Sequence, residues 1–461
     1  MKKCSNCGYE IQYDAKFCPE CGSKLEEIAP VDEFHSKAKI ENGVLKSYRG
    51  NEEHVVIPGD VKVINYEAFV NSGHKSITLS SGVEKIKDRA FRTPGLKTIY
   101  ISDTVKEINC NAFGILRNNA TLSYPYFGCI DLEEIIVDPN NPYYKSIDGD
   151  LYSKDGRVLV RVAPGKKKDV IIIPEGVVKV AGSASLYYPE GLNKIVLPST
   201  FGEDEFIFFM PNIEYETGRT IEIEIDSRNS QYKVENQVVY SKDGERLVMY
   251  NSTKPENSFI VPNTVSIIDP CAFDNAQRLE YVIISNGIKE IGEMAFSGCE
   301  KLTSVVIPNS VNEIGSSAFE YCENLNNVSF PSGIKVIPAH SFLGCGISNL
   351  VIPTTVEIID DYAFSENFEL DEITIPSSVK TIGEGAFSEC GNLSTIVLSE
   401  GLKTIGDAAF ASTDINTIKI PSSVEEIGEE AFDCCTNLET IFVAKGKKYD
   451  NLPEDINVIE Y

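Results

Sequence analysis

The feature that most constrains this chain of 461 residues is a repeat of 22 or 23 residues. A Phe, usually preceded by Ala, returns in register through much of the chain. The repeat Phe residues are Phe69, Phe91, Phe113, Phe273, Phe296, Phe319, Phe342, Phe364, Phe387, Phe410 and Phe432. A fixed period of this length predicts a solenoid, because one short unit cannot bury its own apolar face and must stack on its neighbours.

One unit, residues 302–322, shows how the first half of a coil is expected to fold. Leu302, Val305 and Ile307 are apolar and face the core, while Ser304 and Val306 alternate with them. This alternation is typical of a short strand with one buried side and one outward side.

The second half of the same coil is expected to return along the core. Pro308 ends the first strand, and Val311 and Ile314 form a second inward pair. Gly315 is expected to permit a corner, and residues 317–319 are predicted to form a short helical turn that places Phe in the core. About fifteen such coils, some of them degenerate, are expected along the chain.

The clearest coils carry Ile-Pro-x-x-Val-x-x-Ile-Gly-x-x-Ala-Phe-x-x-Cys, which closely resembles the BspA-type leucine-rich-repeat family of bacteria. The resemblance covers roughly residues 40–461. It implies an α/β, β-rich leucine-rich-repeat solenoid without enzymatic activity that binds proteins. Many members of the family are surface adhesins or antigens, which gives a second hypothesis for this chain.

The regular period fails between Phe113 and Phe273, where two segments match each other at an offset of 88 residues. Each contains Tyr-Ser-Lys-Asp-Gly, with the Asp-Gly turns at residues 155–156 and 243–244. Asp-Gly between two strands predicts a β-hairpin. Residues 43–50 look like a shortened version. The hairpins are either extra-long coils or caps, or they project from the solenoid and contact a partner.

The N-terminal residues contain two Cys-x-x-Cys pairs, each followed by Gly. Their cysteines are Cys4, Cys7, Cys18 and Cys21. Four thiolates complete a closed tetrahedral site, so the spacing predicts one structural zinc ion rather than a catalytic one. A redox role is the alternative, although two pairs ten residues apart favour metal. The segment resembles small zinc-ribbon modules of bacterial proteins, which contact nucleic acid in some families and proteins in others.

The sequence therefore predicts three parts. They are a zinc ribbon over residues 1–25, a linker over 26–39 and a solenoid over 40–461, in which the hairpin-containing part is about 114–262, the regular coils about 263–440 and a C-terminal cap about 441–461. No secretory signal peptide is evident, and no apolar run approaches the ~20 residues of a membrane helix. A cytoplasmic protein is expected, with the cell surface, reached by a non-standard route, as the alternative.

The remaining cysteines and the histidines give no pattern typical of catalysis. Five cysteines share one position, three residues after the repeat Phe: Cys299, Cys322, Cys345, Cys390 and Cys435. We expect buried structural thiols there, with disulfides between coils as the alternative in an oxidising compartment. The four His are scattered, and no Ser/His/Asp set recurs. An enzyme is not expected, and no small-molecule substrate is evident.

The outward strand positions are the candidate partner-binding surface. The residues selected there are Tyr281, Ile283, Val306, Val351, Val397, Lys419 and Phe442. They form either a surface for an extended protein partner or simply a set of good strand formers.

The formal charge of −27 argues against nucleic acid as a partner, because such binding relies on Lys and Arg. Residues 271–440 hold 7 Lys or Arg against 26 Asp or Glu, so a basic protein partner is favoured. The leading hypothesis is a protein-binding scaffold in which the zinc ribbon is a second docking module. The alternatives are a BspA-type adhesin and a nucleic-acid-associated regulator acting through the ribbon.

Overall fold

The computed structural model describes residues 2–3, 10–11, 31–70, 73–109, 111–114, 128–166, 168–181, 191–202, 220–453 and 455–461. The chain divides into two compact units. Unit 1 consists of Met1–Glu214 and Glu224–Ser230, and unit 2 consists of Tyr215–Ile223 and Gln231–Tyr461. Within the described ranges, no helix is long and apolar enough to cross a membrane.

The only helix of the described residues is α1, Val31–Lys37. The strands up to the division between the units are β1 Lys2–Lys3, β2 Glu10–Ile11, β3 Ala38–Glu41, β4 Val44–Tyr48, β5 His54–Ile57, β6 Val63–Ile64, β7 Phe69–Val70, β8 Ser76–Leu79, β9 Lys85–Ile86, β10 Phe91–Arg92, β11 Thr98–Ile101, β12 Glu107–Ile108, β13 Glu134–Val137, β14 Tyr144–Ile147, β15 Asp150–Ser153, β16 Val158–Arg161, β17 Val170–Ile172, β18 Lys179–Val180, β19 Lys194–Leu197 and β20 Glu222–Ile225.

The remaining strands belong to unit 2. They are β21 Tyr232–Glu235, β22 Val238–Ser241, β23 Arg246–Tyr250, β24 Ser258–Ile260, β25 Ile267–Ile268, β26 Tyr281–Ile283, β27 Glu290–Ile291, β28 Ser304–Val306, β29 Glu313–Ile314, β30 Asn327–Ser329, β31 Val336–Ile337, β32 Ile358–Ile359, β33 Glu372–Ile375, β34 Thr381–Ile382, β35 Thr395–Leu398, β36 Thr404–Ile405, β37 Thr417–Lys419, β38 Glu426–Ile427, β39 Thr440–Val443 and β40 Asn457–Glu460.

Most regular coils contribute a first and a second strand, and each kind pairs in parallel with its own kind on neighbouring coils. In unit 2 the first strands form the sheets β24-β26-β28-β30, β33-β35 and β37-β39-β40, together called the first sheet below, and the second strands belong to the sheets β21-β22-β23-β25-β27-β29 and β31-β32-β34-β36-β38, together called the second sheet. Strands of successive coils pair in register, so Ser304 lies between Tyr281 and Asn327. Unit 1 repeats this arrangement with β5, β8, β11 and β13 in the first sheet. The predicted leucine-rich-repeat solenoid is confirmed, and the described residues contain almost no helix.

The repeat Phe side chains form a stack of buried rings between the two sheets. In unit 2, rings of neighbouring coils from Phe273 to Phe432 have centroids 4.6 to 6.0 Å apart and interplanar angles of 2° to 16°. The ring of Tyr250 stacks on Phe273 at one end. Because a buried aromatic side chain contributes roughly 1.5–3 kcal/mol of hydrophobic stabilisation, this stack supports every coil.

The predicted helical turn before each Phe does not form. Ser317 and Tyr321 have φ of 55° and 54°, in the left-handed region that a right-handed helix does not use. The chain makes hydrogen-bonded turns instead, with the Glu320 amide donating to the Ser317 carbonyl. The amides of Ser317 and Tyr321 donate to carbonyls of Ala339 and Leu343 on the next coil, and these bonds hold the unusual backbone in place.

Gly315 is required for a different reason from the one predicted. Its φ is not among the positive values, so it does not supply a left-handed corner. A Cβ at this position would lie 2.3 Å from the backbone nitrogen of Glu293 on the preceding coil. Gly292 and Gly428 meet the preceding coil in the same way. The glycine therefore permits close stacking of two coil backbones.

Three antiparallel caps interrupt or open the solenoid. They are the hairpin β3–β4 and the three-stranded groups β14–β16 and β21–β23. The last strand of each cap, namely β4, β16 or β23, pairs in parallel with β6, β18 or β25. Each cap therefore continues the second sheet, which favours the interpretation of the hairpins as extra-long coils or caps over the interpretation as projecting arms.

The predicted Asp-Gly turns are confirmed, since Gly156 and Gly244 have φ of 81° and 83° and join antiparallel strands. Each three-stranded cap also contains an earlier turn that the sequence analysis missed. It lies at residues 148–149 in one cap and at 236–237 in the other, with both central residues at positive φ. Two residues at positive φ are typical of the type I′ turn.

The five repeat cysteines are buried and free, as expected for structural thiols. The Cys322 thiol donates to the carbonyl of Phe296, the repeat Phe of the preceding coil, at 3.2 Å. Each of the other four thiols donates in the same way to the repeat Phe carbonyl of its own preceding coil; they are Cys299, Cys345, Cys390 and Cys435. At the equivalent position the Asn367 side-chain amide donates to the Phe342 carbonyl at 2.8 Å. The position therefore selects a small hydrogen-bond donor. Burial raises the pKa of Cys390 to about 12, so its reactive thiolate form is suppressed.

Candidate protein-interaction surface

The outward side chains on the first sheet of unit 2 are called the outer strand face below. They occupy the third and fifth positions of each coil, for example Ser304 and Val306 in the coil 302–322, and extend from Ser258 to Phe442. Between them, Val305 and its equivalents point into the core and are buried, except that Phe259 and Val328 are partly buried. The strict alternation of a strand thus fixes which side chains face outward.

All seven residues selected from the sequence lie on this outer strand face. Tyr281, Ile283, Val306, Val351 and Val397 are large apolar side chains that remain 49% to 78% exposed. Lys419 is exposed and Phe442 is half-buried. Because the predicted residues range from Tyr281 to Phe442, they extend along most of the outer strand face.

The most continuous apolar part of the outer strand face is a row of three residues. Ile260 pairs with Ile283 on neighbouring strands, and the register of β26 on β28 places Val306 next in the row. Ile260 was missed by the sequence analysis, which assigned residues up to about 262 to the irregular part of the chain. The signal was present, because Ile260 precedes Val261 and Pro262 as Val306 precedes Ile307 and Pro308.

A different chemistry occurs at the C-terminal end of the face. The Lys419 ammonium lies 3.8 Å from the centre of the Tyr461 ring, in the geometry of a cation–π contact. The Tyr461 hydroxyl donates to the Ile420 carbonyl at 3.0 Å. Phe442 and Tyr461 line a shallow depression of about 500 Å³ together with Asn416. Lys419 and Phe442 were predicted from the repeat pattern, whereas Tyr461 was not, because β40 lies beyond the last recognisable repeat.

Charged side chains are nearly absent from the outer strand face. From Ser258 to Phe442, Glu372 and Lys419 are its charged members. Most acidic residues of the coils lie elsewhere, between the second strand of one coil and the first strand of the next. This part, residues 315–324 in one coil and its equivalents in others, is called the turn side below.

The four histidines differ in their contacts and burial. His35 is 2.7 Å from the Asp60 carboxylate, and His54 is 2.7 Å from the Ser76 hydroxyl across two strands. His74 is buried beside the Glu52 carbonyl, and burial lowers its pKa to about 4. His340 stacks on an aromatic ring of the turn side.

The predicted zinc ligands Cys4, Cys7, Cys18 and Cys21 lie outside the described residues. Four thiols are a donor set that suits zinc, whose structural sites are commonly built from four Cys. Elsewhere, among residues that the structure does describe, no group of three or more His, Cys, Asp or Glu is arranged to hold a metal ion.

Several solved structures resemble this chain. A leucine-rich repeat protein from Eubacterium ventriosum is 21% identical, with a TM-score of 0.44, over 86% of this chain and 91% of that one. A leucine rich cell surface protein from Faecalibacterium prausnitzii is 22% identical, with a TM-score of 0.37, over 77% and 90% of the two chains. A comparison with curated proteins gives no match.

The family comparison covers more than half of the chain. The model of the BspA type leucine rich repeat region matches residues 38–142, 248–370 and 357–451, in six copies. The model of a zinc-ribbon domain matches residues 3–25, the segment that holds the two Cys-x-x-Cys pairs. These matches agree with the coil geometry and with the resemblance stated from the sequence. The chain belongs to the BspA type leucine rich repeat family.

Proposed function

We propose that this chain is a non-enzymatic scaffold that binds a protein partner through the outer strand face of unit 2. The observation that carries the proposal is the exposed row of Ile260, Ile283 and Val306, which the fold leaves uncovered in the described residues. Large apolar side chains that stay exposed side by side are typical of interaction sites. Membership of a repeat-scaffold family supports the same function.

The size of the surface suits a protein rather than a small molecule. The outer strand face extends over strands from β24 to β39, and its depression near Phe442 is shallow. A stable protein interface buries roughly 800 Å² on each partner, which several neighbouring strands can supply. Tyr281 beside Ile283 provides an aromatic anchor of the kind that often dominates binding energy.

We further propose that residues 1–25 fold around one structural zinc ion and act as a second docking module, joined by residues 26–39 to the solenoid. The support is the four-thiol donor set and the zinc-ribbon match. A segment of this size has little core, so its folding energy would come from the metal. Zinc content should be one ion per chain and should be lost in Cys18→Ser, whereas an unchanged zinc content would contradict the site.

The cytoplasm is the proposed location, and a surface adhesin is the competing proposal within the same family. Fractionation of cells that express a tagged chain separates them: recovery of most of the protein outside the cell membrane would favour the adhesin. A nucleic-acid role of the ribbon predicts salt-dependent binding of DNA or RNA by the full chain that disappears in Cys18→Ser.

The binding surface is tested by a charge placed in the apolar row. In the double variant Ile283→Asp/Val306→Asp, two exposed side chains become charged, so the folded chain should persist while the partner retained by the tagged wild type is lost at least about ten-fold. The matched control is Glu290→Gln/Glu313→Gln, on the second sheet of the same coils. Equal retention by all three proteins would contradict the proposed surface.

A further inference from the structure

Neighbouring coils of unit 2 can be joined by backbone hydrogen bonds at three places, namely the first sheet, the second sheet and the turn side. The coil with β26 and β27 and the coil with β28 and β29 are joined at all three. In the second sheet the Gly315 amide donates to the Ile291 carbonyl at 2.8 Å, and on the turn side the Phe296 amide donates to the Ala318 carbonyl at 2.7 Å. These bonds strengthen the interface between two coils.

The second sheet is interrupted between β29 and β31. No backbone hydrogen bond joins residues 312–315 to residues 335–338, and the structure describes every residue of both segments. Pro338 stands at the position that Gly315 occupies in the preceding coil. Because proline has no amide hydrogen, the Ile314 carbonyl cannot receive the bond that Gly315 makes to its own preceding coil.

The first sheet is interrupted at the next coil, which has a shorter connection before its strand position. This connection, residues 345–347, is one residue shorter than the equivalent connection 322–325 of the preceding coil. Residues 348–352, all of them described, share a single isolated bridge with the preceding coil, between Asn327 and Asn349. They form no strand pair with β33 on the following coil. The first sheet is therefore open on both sides of this coil.

A second shortened connection has the same effect, which supports the change of length as the cause. Residues 413–415 are also one residue shorter than the equivalent residues 390–393, and the described strands β35 and β37 on either side do not pair. In unit 1, where Phe69, Phe91 and Phe113 are equally spaced, β8 and β11 pair in register. A change from a longer to a shorter connection thus accompanies the loss of pairing.

Three successive interfaces between coils, from residues 302–324 to residues 370–392, therefore lack regular pairing in one of the two sheets. The apolar interior is continuous across them. The ring centroids of Phe319 and Phe342 are 5.3 Å apart, and those of Phe342 and Phe364 are 5.5 Å apart. Turn-side bonds also persist at each interface. The coils are thus held by the same core as their neighbours but by fewer backbone bonds.

We propose that residues 325–369, the two coils between these interfaces, form a weak joint at which unit 2 opens locally more readily than at the coils on either side. In a solenoid each repeat contacts its neighbours alone, so local opening concentrates where the interfaces are weakest. The joint separates the apolar row on β24, β26 and β28 from the part of the outer strand face on β33 to β39. It does not depend on a bound partner, so this proposal and the proposed binding surface can fail separately.

Hydrogen exchange of the full chain, read at single amides by mass spectrometry, tests the joint. The amides compared make the same turn-side bond to the next coil, at 2.7 to 2.9 Å. At the joint they belong to Phe319 and Phe342, and outside it to Phe296 and Phe387. The two amides at the joint should exchange about ten-fold or more faster, because fewer bonds oppose opening there. Equal exchange of all four would overturn the proposal.

The first variant, Pro338→Gly, returns an amide donor to the interrupted second sheet. It should slow exchange of the Phe319 amide several-fold and leave the Phe296 amide unchanged. The matched control is Pro376→Gly, which removes a proline outside the joint and should not slow exchange of the Phe319 amide. The comparison of amides in the wild-type chain does not require either variant to fold.

The second variant restores the length of the shortened connection. Insertion of Asn between Gly346 and Ile347 recreates the Cys-Gly-Asn sequence of residues 390–392. Pairing in the first sheet should extend, and exchange of the Phe342 amide should slow several-fold. Fast exchange at the joint that neither Pro338→Gly nor the insertion slows would contradict the missing bonds as its cause and overturn the proposal.

Discussion

The outer strand face and the turn side of unit 2 are built by the same 23-residue repeat, yet their surfaces differ in kind. The outer strand face has two charged residues, Glu372 and Lys419, among the outward positions from Ser258 to Phe442. The turn side of five successive coils, residues 315–324, 338–346, 360–369, 383–392 and 406–414, has ten carboxylates and no Lys or Arg. The inward residues of both parts are mainly apolar, with Asn367 and Thr413 as buried polar exceptions. A solenoid thus keeps one interior while its separate sides carry different surfaces.

The excess of acidic residues in the regular coils therefore does not extend to the outer strand face. From the sequence, the excess of Asp and Glu in the regular coils indicates a basic partner without a location. The structure assigns most of this charge to the turn side, away from Ile283 and Val306. We therefore expect apolar contacts with a partner on the outer strand face.

The largest expected effect comes from the close approach of coil backbones that both surfaces share. In Gly315→Ala the new Cβ would meet the Glu293 backbone at 2.3 Å, so the two coils must separate. Overpacking of this kind should lower the free energy of unfolding by about 3 kcal/mol. Gly333→Ala is the control, because nothing lies within 4 Å of its Cβ position. Urea denaturation measures both, and equal stability of the two variants would contradict the stacking role.

A smaller effect should separate the two sides of one strand. Val305 is 2% exposed and Val306 is 66% exposed, although they are neighbours in β28. Val305→Thr buries a hydroxyl and should cost about 2 kcal/mol of unfolding free energy. Val306→Thr places the same hydroxyl in water and should change stability by less than about 0.5 kcal/mol. Thermal unfolding measures the stability of both variants. A similar loss of unfolding free energy in both would mean that the outer strand face is covered.

The smallest expected effect concerns the pH dependence of the turn side. Glu366 has a higher pKa in the folded chain than in the unfolded chain. The free energy of unfolding is therefore highest below the unfolded pKa, where Glu366 is protonated in both states, and it decreases as pH rises through the folded pKa. Glu366→Gln removes this decrease, so the variant should melt at a higher temperature than wild type at pH 7, with a smaller difference at pH 4. Glu313→Gln is the control. A difference that does not vary with pH would contradict the raised pKa of Glu366, which burial causes first and the carboxylates of Glu389 and Glu320 increase.

The sequence predicts the interior of this fold better than its corners. The inward positions follow from the period, because a residue such as Phe319 has no other apolar environment. The left-handed backbone at Ser317 and Tyr321 could not be predicted from those side chains. It is held by bonds from their amides to the next coil, and such contacts between coils exist only in the stack.

The structure at the two ends of the repeat region was also not predictable from the sequence pattern. Helix α1 lies in the segment interpreted as a linker, and its Phe34 is buried and stacks on Tyr48 with centroids 4.7 Å apart. Seven residues are too few to show helical periodicity, so no sequence pattern predicted this helix. On the outer strand face, alternation predicted which side chains point outward, whereas Tyr461 reaches the face only because β40 pairs with β39.

Site-specific photo-crosslinking from position 306 tests the central claim most directly. A photoreactive phenylalanine analogue replaces Val306 in the full chain, and a second protein carries it at Glu313, on the second sheet of the same coil. We expect a protein adduct from position 306 that is absent from position 313. No adduct from position 306, or the same adduct from both positions, would contradict binding through the outer strand face.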